Sequence, residues 1–248
     1  MKLFDDLFLV GGGPFNGFGL SNSLDCHVYA LNGGDAIALI DCGMATAGSI
    51  DRILLNLQND GLDVNKVTHL FLTHYHIDHC GGINAWQKRF PIKAFIGADV
   101  ITNVLRADVD ATGFKLAQEA GFYPSDYNFV APISIEGLKQ GDVIKVGNLE
   151  VQFISTPGHC NGHGCYLVSG VKRYLFSGDC IFAGGKIALL NTADSNIEKY
   201  RTTIFNLEKI DFDALLPGHG AIVLRDGKEH VKVAANSFRK LLLPENFV

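Results

Sequence analysis

The run Leu70-Phe71-Leu72-Thr73-His74-Tyr75-His76-Ile77-Asp78-His79 decides how this chain reads. An apolar, strand-like stretch ends in three imidazoles and a carboxylate within six residues. Packing alone does not require such a density of donor side chains. Histidines on a turn can point at one cation, and the adjoining Asp78 and His79 can reach a second. Further along, three segments each present one more donor after a strand-like run and beside glycine or proline. They are Thr156-Pro157-Gly158-His159, Phe176-Ser177-Gly178-Asp179 and Leu216-Pro217-Gly218-His219. A lone histidine is usually a packed or surface residue, whereas this pattern as a whole reads as a two-metal hydrolytic site.

Together with Leu39-Ile40-Asp41-Cys42-Gly43, these motifs resemble those of the metallo-β-lactamase superfamily, from the strands before Asp41 to His219. The resemblance implies an α/β fold, the four-layer αβ/βα sandwich. In it two mixed β-sheets stack face to face with helices outside, and the ligand-bearing turns gather at one edge. It implies that His74, His76 and His159 hold one metal, that Asp78, His79 and His219 hold a second, and that Asp179 bridges them. The donor types agree, because imidazole suits zinc, iron and other borderline metals while a carboxylate can span two cations. The implied cofactors are two divalent metal ions, zinc in the first place, with iron or manganese as alternatives. A metal-bridging hydroxide would attack the carbonyl of a small ester, thioester or lactone, and a metal would stabilise the oxyanion. Asp78 would be catalytic as well as a ligand, orienting the hydroxide and carrying a proton toward the leaving group.

Substrate is read from a site and not from a fold. The turn from Thr156 to His163 looks most like the hydroxyacylglutathione hydrolase and lactonase branches. The chain after His219 is short for the helical domain with which glyoxalase II-type enzymes hold glutathione, and no basic cluster awaits that tripeptide's carboxylates. A mononuclear iron persulfide dioxygenase, which shares H-x-H-x-D-H, is the alternative, as is a metallo-β-lactamase. Asp179 stands where one lactamase branch carries cysteine, and His76 stands where flavin-coupled diiron reductases carry glutamate.

Among the remaining polar residues, Asp41 ends an apolar run and reads as a hydrogen-bond partner that fixes a ligand. His163 and His69 read as buried hydrogen-bonding or core groups, and His27 and His230 have no assigned role. Tyr200 reads either as core or as a donor to a substrate oxygen. Phe114, Phe122, Tyr123, Tyr127 and Phe129, in segment 97–131, read as helix packing or as a pocket wall, and 184–191 as a second wall.

With 47% hydrophobic and 19% charged residues, the 248-residue chain can build a substantial core. We expect one domain over 1–248, since no Pro-, Gly- or Ser-rich linker divides it. A net charge of −5 offers no general attraction to nucleic acid or an anionic membrane. The expected partner is a small-molecule substrate, met by a monomer or homodimer in the cytoplasm. Asp5 and Asp6 interrupt the place of a signal peptide's apolar core. The six cysteines lack C-x-x-C spacing and read as reduced packing residues. The stretch Gly11 to Gly17 misses G-x-G-x-x-G and reads as a loop at the site rim.

Periodicity predicts strands at 7–11, 24–31, 35–41, 66–72, 92–96, 132–136, 142–146, 149–155, 165–169, 173–177 and 213–216. Helices are expected at 48–59, 81–89, 98–106, 112–120, 196–208 and 228–241, with Ser49 and Ser195 as caps.

Overall fold

The computed structural model describes residues 1–14, 18–46 and 48–248. Part of the glycine-rich loop, 15–17, lies outside these residues. Apolar runs become strands because their branched and aromatic side chains are buried on both faces of two sheets. The first sheet has the order β1 (Leu7–Gly11), β2 (Val28–Asn32), β3 (Ile37–Ile40), β4 (Val67–Phe71), β5 (Lys93–Gly97), β6 (Glu136–Leu138). Its first two pairings are antiparallel and the rest parallel. The second sheet runs β11 (Ala214–Pro217), β10 (Arg173–Gly178), β9 (Gly164–Ser169), β8 (Leu149–Ser155), β7 (Val143–Val146). There only β10 and β11 are parallel.

Three apolar layers hold the sandwich together. Leu9, Phe71 and Phe95 of the first sheet meet Phe153, Tyr166 and Phe176 of the second in a central core. Outside the first sheet, Ile53 and Leu57 of α1 (Ser49–Asn59) and Trp86 of α3 (Ile83–Arg89) cover Leu39 and Leu70. Outside the second, Tyr200 and Ile204 of α6 (Ile197–Leu207) and Phe238 of α7 (Gly227–Arg239) cover Leu175 and Leu215. The expected four layers are therefore present. No helix among the described residues is long and apolar enough to cross a membrane.

Some boundaries differ from the sequence reading, each for a physical reason. The expected strand at 24–31 starts only at Val28, because the backbone of Cys26 and His27 is bonded elsewhere, to Asp78 O and Gly218 O. The strand expected at 132–136 begins only at Glu136; Pro132 has no N–H for a ladder, and Ile133 is exposed. The expected helix 81–89 is preceded by a separate turn, α2 (Ile77–Cys80), that carries Asp78 and His79. The one at 98–106 is a 3₁₀ turn, Ala98–Val100, followed by α4 (Ile101–Leu105). The one at 112–120 is α5 (Phe114–Glu119). Neither expected cap is a cap. Ser49 is buried and donates to Asp25, while Asn196 caps α6 by accepting from Lys199 N, and Ser195 donates to Gly158 O.

Candidate metal centre

All the donor residues follow the C-terminal ends of strands. Asp41 follows β3, the histidine block β4, His159 β8, Asp179 β10 and His219 β11. β3 and β4 are parallel, as are β10 and β11, and β8 points the same way as β10 because both oppose β9. Backbone bonds then draw the turns together: Asp41 N–H to Phe71 O (2.8 Å), Gly164 N–H to Thr73 O (2.8 Å) and Gly218 N–H to Gly178 O (2.9 Å). Cys26 N–H to Asp78 O (3.2 Å) and His27 N–H to Gly218 O (2.7 Å) stitch both ligand turns to the segment leading into β2. Close approach explains two glycines. Gly178 has φ 46°, and a Cβ there would stand 2.7 Å from Thr73 Cβ; one on Gly158 would stand 2.7 Å from Tyr200 Cα.

Three imidazoles converge first. His74 Nε2 lies 3.0 Å and His159 Nε2 2.9 Å from His76 Nδ1. The outer nitrogens have their own partners. His159 Nδ1–H donates to Ala188 O at 2.7 Å. Thr73 Oγ1 gives its proton to Asp41 and so accepts from His74 Nδ1–H at 2.9 Å. These two tautomers leave the Nε2 lone pairs of His74 and His159 facing His76, the orientation that bonds behind metal-ligating histidines produce.

A second group adjoins it. His219 Nε2 is 3.0 Å from Asp78 Oδ2, and His79 Nε2 is 3.4 Å from the same oxygen. His79 Nδ1–H donates to Asp41 Oδ2 at 2.9 Å. Asp179 lies between the groups, with Oδ1 3.4 Å from His79 Nε2 and Oδ2 3.8 Å from His159 Nε2. Its Oδ1 is buried without a hydrogen-bond partner among the described residues. Such an orphaned carboxylate oxygen is costly unless a cation meets it. Tetrahedral zinc with ligands at about 2.0–2.1 Å keeps them about 3.3–3.4 Å apart, close to the separations in both groups. The residues present therefore fit a metal centre: His74, His76 and His159 form one group that could hold a cation, and Asp78, His79 and His219 another that adjoins it.

The two groups differ electrostatically. Burial and neighbouring imidazoles hold His74 well below the usual histidine range, and burial, then His159, draws His76 down to about 4. Burial also lowers His159. Burial alone would depress His79 as well, but Cys26, Asp78, Asp179 and Asp41 outweigh it and raise its pKa. His219 is likewise raised against burial, by Asp179 and Asp78. Asp78 and Asp179 are both held below their usual range: burial would raise them, but His79 and His219 together outweigh it.

The supporting residues sort clearly. Asp41 fixes His79 and Thr73, as read from the sequence. His163 stays out of both groups: its Nε2 accepts from Asp179 N–H (3.2 Å) and its Nδ1–H meets Thr156 Oγ1 (2.8 Å). Tyr200 is buried and donates to Asp179 backbone O (2.8 Å), a core role. His69 lies nearly parallel to Phe71 and Phe95, its ring centroid 6.2 Å from each, and His230 accepts from Gly184 N–H. All six cysteines are buried; Cys26 lies near Asp41 and His79, but burial pushes its thiol up. Two contributors carried no motif. Asp25 accepts from Ser21, Asn22, Met44 and Ser49 behind the site. Tyr123, read as a packing or wall residue, donates to Asp78 Oδ1 at 2.7 Å.

A family model described as "Metallo-beta-lactamase superfamily" matches residues 22–219. Among curated proteins, an atrochrysone carboxyl ACP thioesterase of Aspergillus fumigatus is 24% identical over 215 residues, 87% of this chain and 56% of that protein. A hydroxyacylglutathione hydrolase of a Polaromonas species is 32% identical over 183 residues, 72% of this chain and 58% of that protein. The chain thus spans about half the length of curated relatives it matches. A metallo-beta-lactamase family protein from Thermus thermophilus superposes with TM-score 0.74 at 18% identity, covering 96% of this chain and 81% of its own. A subclass B3 metallo-beta-lactamase of Bradyrhizobium japonicum gives 0.70 at 20% identity, with coverage of 97% and 92%.

Proposed function

Because the chain belongs to the metallo-beta-lactamase superfamily, we propose that it is a dinuclear metal-dependent hydrolase of a small ester, thioester or lactone. The observation that carries this reading is Asp179, a buried carboxylate with one oxygen toward each donor group. His74, His76 and His159 would hold one cation, Asp78, His79 and His219 the other, and Asp179 both. Zinc is our assignment, since imidazole dominates the donor set. Bound there, two cations supply Lewis acidity toward a carbonyl oxygen and acidify water toward neutrality. The chain's own residues prepare for this. Thr73, Asp41 and Ala188 O take the outer imidazole protons of His74, His79 and His159, so their inner nitrogens are aimed before any ligand arrives. Asp78, partly open to solvent, is the carboxylate we assign to carry a proton to the leaving group.

Among the described residues, the Lys and Arg ion pairs involve none of the seven donors. An uncharged lactone or ester suits such a site as well as a thioester does. The thioesterase and acylglutathione hydrolase among the relatives keep thioesters in view. We read 1–248 as one domain, because both sheets share one core, and its address as the cytoplasm. Elemental mass spectrometry before any metal is added, followed by a lactone, thioester and ester panel, tests the proposal. We expect two zinc equivalents per chain, and turnover that falls more than about a hundredfold in Asp179→Ala, beyond the range typical of groups behind the ligands. One iron per chain with oxygen uptake on a thiol persulfide would overturn it, as would near-native turnover in Asp179→Ala.

A further inference from the structure

The segment between β5 and β6 sets two tyrosines against α2. Tyr127 donates to Met44 O at 2.8 Å and lies so close to Gly81 that a Cβ there would be 2.5 Å from its hydroxyl. Tyr123, 45 residues beyond its partner in sequence, donates to Asp78 Oδ1 at 2.7 Å. Asp78 Oδ2 is the oxygen near His219 and His79, at 3.0 and 3.4 Å. The two oxygens of one carboxylate thus have separate partners. The terminal torsion of an aspartate is soft, so nothing in its own rotamer preference fixes which oxygen faces the histidines.

We propose that Tyr123 is a positioning residue of the second metal centre, its hydroxyl anchoring Asp78 Oδ1 so that Oδ2 stays aimed at the His79–His219 pair. The proposal rests on the two-metal reading above. A hydroxyl bonded to an ionised carboxylate is among the stronger protein hydrogen bonds. Groups that orient metal ligands from behind typically contribute about 10–100-fold in metal affinity or activity. The Tyr123 ring packs on Phe114, with centroids 5.9 Å apart, so Tyr123→Phe removes the donor and keeps the packing. Tyr127→Phe is the matched control, because it removes a hydroxyl from the same segment without touching Asp78.

The test titrates metal-free protein with zinc in competition with a chromophoric chelator, for the parent and both variants. In Tyr123→Phe we expect one of two equivalents to bind about 10–100-fold more weakly, with the other unchanged. Tyr127→Phe should bind both as the parent does. Two tight equivalents in parent and Tyr123→Phe alike would overturn the Tyr123 assignment alone. Equal weakening in Tyr127→Phe would also overturn it, the effect then belonging to segment packing. A parent that takes up only one equivalent would instead overturn the two-metal reading, and this proposal with it.

Discussion

Residue by residue, the candidate site separates groups that would touch metal from groups that hold those groups in place. His159 and His163 are four positions apart, yet one aims a nitrogen at His76 while the other joins Asp179 N–H to Thr156. His159→Ala should therefore lose one metal equivalent, measured by elemental analysis. His163→Ala should keep both equivalents and lose about 1–3 kcal/mol of stability through its abandoned partners. The electrostatic contrast between the groups gives a pH order. His79 and His219 hold protons more tightly than ordinary histidines, so acid competes early for their nitrogens. His76 is drawn down to about 4, so the first group keeps its lone pairs well into acid. On stepwise acidification and desalting, one equivalent should leave first and the other at distinctly lower pH; simultaneous loss would contradict this. The donor residues were legible because their motifs are local. Tyr123 was not, because nothing near it in sequence indicates that its hydroxyl reaches Asp78.

Among the elements, the strands other than those expected at 24–31 and 132–136 were legible to within two residues, since both faces of most are buried and the apolar runs are continuous. The cap residues of the helices were not, although α1, α6 and α7 start within one residue of the expected positions. Ser49 has the chemistry of a cap, but Asp25 captures its hydroxyl from 24 residues earlier, and Gly48 in left-handed geometry opens α1. Local propensity yields there to a tertiary bond. Asp25 thereby ties the segment leading into β2, the β3–α1 turn and α1 into one unit behind the site. Asp25→Ala should cost on the order of 3 kcal/mol, as expected for loss of a buried charged acceptor. In a chain of this size that is about 6–12 °C in thermal midpoint. A shift under 2 °C by calorimetry would show that the network contributes little. The same variant should retain all seven candidate ligands and hence its metal stoichiometry.

At the scale of the whole molecule, the expected sandwich is present because the apolar runs form two sheets that need each other's inner face. One edge gathers the candidate donors from both. Removal of metal by chelation should lower the thermal midpoint, since a ligand that binds only the folded state at a thousand times its dissociation constant adds about 4 kcal/mol. Calorimetry with and without chelator, then with zinc restored, measures this; an unchanged midpoint would argue against bound cations. The placement of the donors along the chain has one more consequence. His76 meets His159 across 83 residues, and His79 meets His219 across 140. A cation at either group would close a large loop, with the chain-entropy effect of a disulfide but reversible by acid or chelator. The atoms assigned to chemistry would thus double as removable cross-links, clasping the halves of the polypeptide along the edge where the donor turns gather.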